Sequence, residues 1–230
     1  KIVELREKRG HFVGHRYRIE FAKIGPLSFI SHLDMQKIMA RIFKRAGVEM
    51  LFSEGYKTRP LISFGPALTL GISSLSEFFD IRVPEAWDNK EAVLNLLKEH
   101  SEKGIVFKKA YEIDTKTTSI QDAVKTFTYF VKVNNPELIE DAILNMMGKS
   151  ELTVESFSKK DQSNFAKNIR PLVLQMKKGE LDLDSQTLEI INEVSFCKGQ
   201  GIFVTTQVDQ GSSIRPREIT QVFQDAGLMV

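Results

Sequence analysis

The sequence predicts an α+β protein made of two ferredoxin-like units of the β-α-β-β-α-β type packed together. Three observations lead there. Between residues 16 and 115 strand-like and helix-like segments follow one another as strand, helix, strands, helix, strand. A polar patch, "DTKTTSIQD", interrupts the chain at residues 114–122, and a similar order restarts beyond it. The expected division is a basic linker or tail at residues 1–15, a first unit at 16–115 and a second at 122–230.

In the first unit, "HRYRIEFAKIG" sets Tyr17, Ile19 and Phe21 at the period of two that marks a half-buried strand, with Arg16, Arg18 and Glu20 on its other face. Gly25 and Pro26 break it. Ser31 with Asp34 three residues later is a capping arrangement, so a helix is expected from His32. Met35, Ile38, Met39, Ile42, Phe43 and Ala46 recur at helical spacing and point to the core, and Gly47 is placed to end the helix. "VEMLFSEG" reads as a short strand, and "LISFGPALTLGIS" as a strand bent at Gly65, Pro66 and Gly71. "EFFDIRV" is a further strand. "DNKEAVLNLLKEHSEKG" is a helix capped by Asp88 with a stripe of Val93, Leu94 and Leu97, and "IVFKKAYEI" closes the unit as a strand.

In the second unit, "KTFTYFVKV" is a strand, "NPELIEDAILNMMGK" a helix with Pro136 at an early position, and "ELTVESFSKK" a strand. "IRPLVLQMK", "QTLEIINEV" and "IFVTTQV" are expected strands, and "RPREITQVFQDAG" a closing helix. The repeat is one of element order; the residues of the two halves do not match as a motif.

Composition sets the function classes aside or leaves them open. The 230 residues are 42% hydrophobic and 27% charged, as in a soluble globular chain, with no apolar run long enough for a membrane span. The basic start lacks an apolar signal core, so a cytoplasmic location is expected. The single cysteine, Cys197, excludes an internal disulfide, and His11, His15, His32 and His100 have no metal-site spacing, so no metal is expected in this segment. Residues 1–60 hold 13 Lys and Arg against 6 Asp and Glu, a charge of +7, which leaves −5 for the remainder of a chain whose net charge is +2. Such an asymmetry points to one anion-facing surface.

The chain carries no glycine-rich phosphate loop and no cysteine triplet for an iron–sulfur cluster. His32 and Asp34 are the candidate catalytic pair, although residues two apart on a helix do not face each other and the same pattern serves as a first-turn charge arrangement. Asp80, set among Phe78, Phe79 and Ile81, is a candidate base or a partner for an arginine, and the ion pair is the expectation. The remaining signal is cationic. Lys37, Arg41, Lys44 and Arg45 lie on the polar side of the first helix, with Arg16, Arg18 and Lys23 on the strand before it. Tyr56, Lys57 and Arg59 follow in a loop. Arg59, Arg170 and Arg215 each precede a proline, which holds their backbone extended, and Arg217 follows the last of them. Arginine grips phosphate bidentately, and cations beside flat rings suit single-stranded or structured RNA. Either these residues bind such an anion or they bridge carboxylates of the same protein.

Several short motifs resemble the opening of the radical-SAM-linked proteins of the DUF2344 group, bacterial proteins of uncharacterised function. They are the Phe21-x-Lys23-x-Gly25 start, the Ser31-His32-Leu33-Asp34 helix entry, the Arg45-Ala46-Gly47 exit, Ser53-Glu54-Gly55 and Ser63-Phe64-Gly65. The likeness is dense over residues 17–84 and thin afterwards, with "GSSIRPREI" similar to the closing segment of the group. Where the group has a His-Pro pair, this chain has Arg59–Pro60. The resemblance implies a segment associated with, or fused behind, a radical SAM module, which would carry S-adenosylmethionine, an iron–sulfur cluster and often a cobalamin-binding-like region. It further implies that this segment recognises or presents a substrate, with RNA the favoured class. The alternatives are a ferredoxin-like RNA-processing or RNA-modifying enzyme domain that uses His32 or Asp34, and a protein-docking module.

Overall fold

The structure is a computed structural model, and it describes residues 14–54, 56–158, 162–181, 183, 199–209 and 213–230. Residues 1–13, most of the expected tail, and the expected strand "QTLEIINEV" lie outside the described residues, as does Cys197. The chain divides into two units, Lys1–Ala123 and Val124–Val230.

The first unit runs β1 (His15–Lys23), α1 (His32–Arg45), β2 (Ile62–Phe64), β3 (Ser74–Val83), α2 (Lys90–Glu99), β4 (Ile105–Ile113) and a short helix α3 (Ile120–Ala123). The strands form one sheet in the order β2-β3-β1-β4, each neighbour antiparallel. The alternation expected of β1 is present: Tyr17, Ile19 and Phe21 are buried and meet Phe79, Ile81 and Phe107 of the flanking strands in the core. Against them α1 lays Met35, Met39, Ile42 and Phe43, and α2 lays Leu94 and Leu97. Each fully buried side chain of this size stabilises the fold by about 1.5–3 kcal/mol. Ser31 caps α1, its hydroxyl oxygen accepting from the Asp34 amide at 3.1 Å, and Gly47 ends the helix at φ 69°.

Several elements differ from the sequence reading. Asn89, one residue past the expected Asp88, caps α2, its side-chain oxygen accepting from the Ala92 amide at 3.0 Å. Residues 48–54 of "VEMLFSEG" do not form a strand; they are tied by a bridge between Phe52 and Pro60 and by the Leu51 amide donating to the Arg82 carbonyl. Only Ile62–Phe64 of the next hydrophobic run enters the sheet, because Gly65 and Pro66 follow at once. The strand β1 begins at His15, a residue assigned to the tail. The patch read as a boundary contains α3, which packs on β2 and β3 and buries Ile120.

The second unit comprises β5 (Thr126–Lys132), a 3₁₀ turn at Pro136–Leu138, α4 (Ile139–Gly148), β6 (Thr153–Ser158), β7 (Ser163–Asn168), β8 (Val173–Glu180), β9 (Gln200–Gln207) and α5 (Pro216–Asp225). Its described strands form a three-stranded sheet, β5-β9-β8, and a separate hairpin, β6-β7. Polar β7, "SNFAKN", escapes the sequence patterns, and Arg170–Leu172 is a 3₁₀ turn before β8 where a strand was expected. Ile139, Met146, Ile202, Val204, Ile219 and Phe223 anchor this unit's own core. Buried Glu218 accepts from the Lys167 ammonium at 3.0 Å, the Ser156 hydroxyl at 3.2 Å and the Arg215 amide at 2.9 Å, which pins α5 to the hairpin.

Candidate functional site

Helix α1 carries opposite chemistry on its two sides. With Met35, Met39, Ile42 and Phe43 turned to the core, Lys37, Arg41 and Lys44 fall at spacings of four and three on the solvent side, one above the other. Lys37 pairs with Asp34 one turn back at 2.9 Å. Arg41 and Lys44 are exposed and have no side-chain partner among the described residues. Arg45 is engaged, donating to the His100 carbonyl and the Glu102 carboxylate at 2.7 Å each. In the loop at 56–59, Tyr56, Lys57 and Arg59 are also exposed.

The arginines of β1 are engaged within the protein. Arg16 donates to Asp80 Oδ2 at 2.6 Å, while Arg18 donates to Oδ1 at 2.7 Å and to Oδ2 at 3.0 Å. The backbone after β4 folds over them, and the Thr115, Thr117 and Thr118 carbonyls accept their remaining N–H groups. The hydrogen bond to Asp80 holds the Arg18 guanidinium above its ordinary pKa, against the effect of burial. The carboxylate foreseen as an arginine partner thus takes two arginines, and Arg16 and Arg18 leave the anion-binding set. Arg170 leaves it too, since its guanidinium donates to the Lys149, Met147 and Val173 carbonyls at 3.1–3.2 Å, closing the end of α4. Arg215 and Arg217 are exposed in the second unit.

His32 and Asp34 part company. Asp34 is spent on the helix entry, accepting from the Ser31 hydroxyl at 2.7 Å and from Lys37, and the Lys37 hydrogen bond lowers its pKa first, then that of Ser31. His32 instead lines a partly open cleft with Lys23 and Glu77, together with Phe21, Met35, Phe64 and Leu68, with a volume of about 20 Å³. Its ring meets the Phe64 ring edge to face at 5.5 Å.

Lys23, the last residue of β1, lines this cleft with Phe21, and the pairing of β1 with β3 shifts register between these two residues. Gly104, at φ 106°, brings the start of β4 so close that the Ile24 amide donates to its carbonyl at 2.9 Å, and a Cβ there would strike the Ile24 carbonyl. Lys23 is 5% exposed and has no hydrogen bond or ion pair among the described residues. No fully enclosed side-chain nitrogen or oxygen there lacks a partner, so the free ammonium sits where the cleft opens.

The electrostatics follow from that burial. Desolvation lowers the Lys23 pKa, and the Glu77 charge offsets only part of the effect. Desolvation raises the Glu77 pKa against the Ser74 hydrogen bond and the Lys23 charge. His32 is lowered by burial and then by Lys23, which favours the neutral imidazole. Sequence reasoning named Lys23 and His32 but not Glu77. Stepping back by two from Phe79 along β3 reaches Glu77 on the same face, and that was the signal to use.

Among the described residues no group of three or more His, Cys, Asp or Glu side chains is placed to hold a metal ion, and no helix is long and apolar enough to cross a membrane. No curated protein matches the chain. The family model described as an uncharacterized protein conserved in bacteria (DUF2344) matches residues 16–216, and the chain therefore belongs to the DUF2344 family.

Proposed function

We propose that this chain is a substrate-recognition domain that binds RNA and presents it to a radical SAM enzyme, joined to it in one chain or associated as a partner, in the bacterial cytoplasm. The observation that supports RNA is the stripe of Lys37, Arg41 and Lys44 on the solvent side of α1, with Arg41 and Lys44 unpaired among the described residues. Exposed cations on a stiff helix bind phosphates at little cost in ordering, and Tyr56, Lys57 and Arg59 add a flat ring and two more cations in the same unit. The β-α-β-β-α-β order and the β2-β3-β1-β4 sheet support reading the first unit as a ferredoxin-like sandwich.

The iron–sulfur cluster of that system does not fit this chain. A radical SAM cluster takes three cysteine thiolates, and the sequence holds one cysteine, Cys197. S-adenosylmethionine, the cluster and cobalamin belong to the linked module, and the role left here is to hold the substrate.

Fluorescence anisotropy of a labelled single-stranded RNA, titrated with the purified chain at low salt, tests this reading. Saturable binding is expected. A folded chain that leaves the anisotropy unchanged would overturn it.

A further inference from the structure

We infer that the face of sheet β5-β9-β8 turned away from the core is a platform on which Phe130 and Phe203 stack two bases of single-stranded RNA; this rests on the RNA-binding reading and places base contacts in the second unit. Strand register fixes what that face carries. Tyr129, Val131, Ile202, Val204 and Met176 point into the unit's core, against α4 and α5. On the opposite face Phe130, Phe203 and Lys177 form one row across the strands, and Lys132, Gly201 and Gly179 the next. Thr128, Thr205 and Gln175 form the row on the other side of the rings.

Solvent reaches this face. Thr128, Gln175 and Lys177 are exposed, and both phenylalanines are partly exposed although they lie at its middle. A Cβ on Gly201 would stand 2.6 Å from Cζ of Phe130, and one on Gly179 2.9 Å from Cε2 of Phe203. Each ring thus leans over a glycine of the neighbouring strand and stays low on the sheet, where a base can lie across it. The ring centroids are 4.9 Å apart and the planes are tilted by 51°, so no single flat base lies against both, and the pair suits two successive bases. Aromatic side chains on a sheet face stack two or three bases in this way in sheet-type RNA-binding domains, and any base offers the π-face they need.

Charge names the occupant. None of the positions on this face carries a carboxylate, while Lys177 flanks the rings on the β8 side and Lys132 on the β5 side. Neither lysine has a hydrogen bond or ion pair among the described residues. A partner with flat apolar groups on a polyanionic backbone matches rings between cations. Phenylalanine leaning on a cross-strand glycine also stabilises a sheet by itself, a role that needs neither lysine and that the test separates.

The test titrates the full chain with a single-stranded oligoadenylate and follows the Phe130 and Phe203 ring signals by NMR, with fluorescence anisotropy of the labelled RNA for affinity. Both sets of ring signals are expected to move as RNA is added. Phe130→Leu/Phe203→Leu keeps an apolar side chain over each glycine and should weaken binding about fivefold or more for each ring lost, as removal of one stacked base does. Phe130→Tyr/Phe203→Tyr keeps the flat rings and should bind like the unaltered chain. The ring signals need no variant, so they decide the matter even where the leucine pair fails to fold. Ring signals that stay in place at saturating RNA, an affinity unchanged in the folded leucine variant, or signals that move with protein concentration instead of RNA would each overturn the inference. RNA bound with unmoved rings leaves the wider reading standing on the cations of α1, whereas a folded chain that binds no RNA removes both.

Discussion

Lys23 and Glu77, on neighbouring strands, line one cleft without forming an ion pair. A direct pair would satisfy both charges. Held apart, they are an expense to the fold.

That expense is measurable. The double variant Lys23→Met/Glu77→Gln removes a buried ammonium and a half-buried carboxylate at similar volume and is expected to stabilise the chain, because desolvated charges without a direct partner cost free energy. Urea denaturation gives the number. A loss of stability would show that the two residues hold the core together.

Asp80 behaves oppositely, because its carboxylate is engaged by both Arg16 and Arg18. Asp80→Ala leaves two guanidiniums unpaired, one of them buried, and should cost about 3–5 kcal/mol in the same measurement. A loss below about 1 kcal/mol would mean that the carbonyls of residues 115–118 suffice to hold the arginines.

His32 predicts a pH dependence whose sign follows from its lowered pKa. At a pH above the ordinary imidazole value of about 6.5 the ring is neutral in both folded and unfolded chains and adds no pH dependence. As pH falls through that value the unfolded chain takes up a proton first, so stability falls, and the loss is complete below the folded-state pKa. His32→Phe should remove this component of the Tm profile. A profile unchanged by the substitution would place the acid sensitivity elsewhere.

Much of the first unit was legible because its signals are local. Ser31, Asp34 and Gly47 mark both ends of α1, and the period of Met35, Met39, Ile42 and Phe43 separates its faces. The site was legible only in part. The sequence separates Arg16 and Arg18 from Asp80 by more than 60 positions, so their engagement needs the register of β1 against β3. Cations that fill a sheet face and cations that face solvent look alike in a one-dimensional charge count. Lys23 and Glu77 were hidden because the apolar period ends one step before each of them. The hairpin β6-β7 was missed since "SNFAKN" carries almost no apolar alternation and takes its strand form from pairing with β6.

The salt dependence of RNA affinity tests the central claim most directly. With about five phosphates neutralised by α1 and the 56–59 loop, log Kobs against log salt should fall with a slope of about −3.5 for a single strand. Arg41→Ala/Lys44→Ala removes two exposed cations that have no partner among the described residues and leaves the buried face of α1 untouched. The slope should then flatten by about 1.4, with no change in Tm beyond that of surface substitutions. An unchanged slope in the folded double variant would contradict the account, because the stripe on α1 would then not be where the phosphates lie.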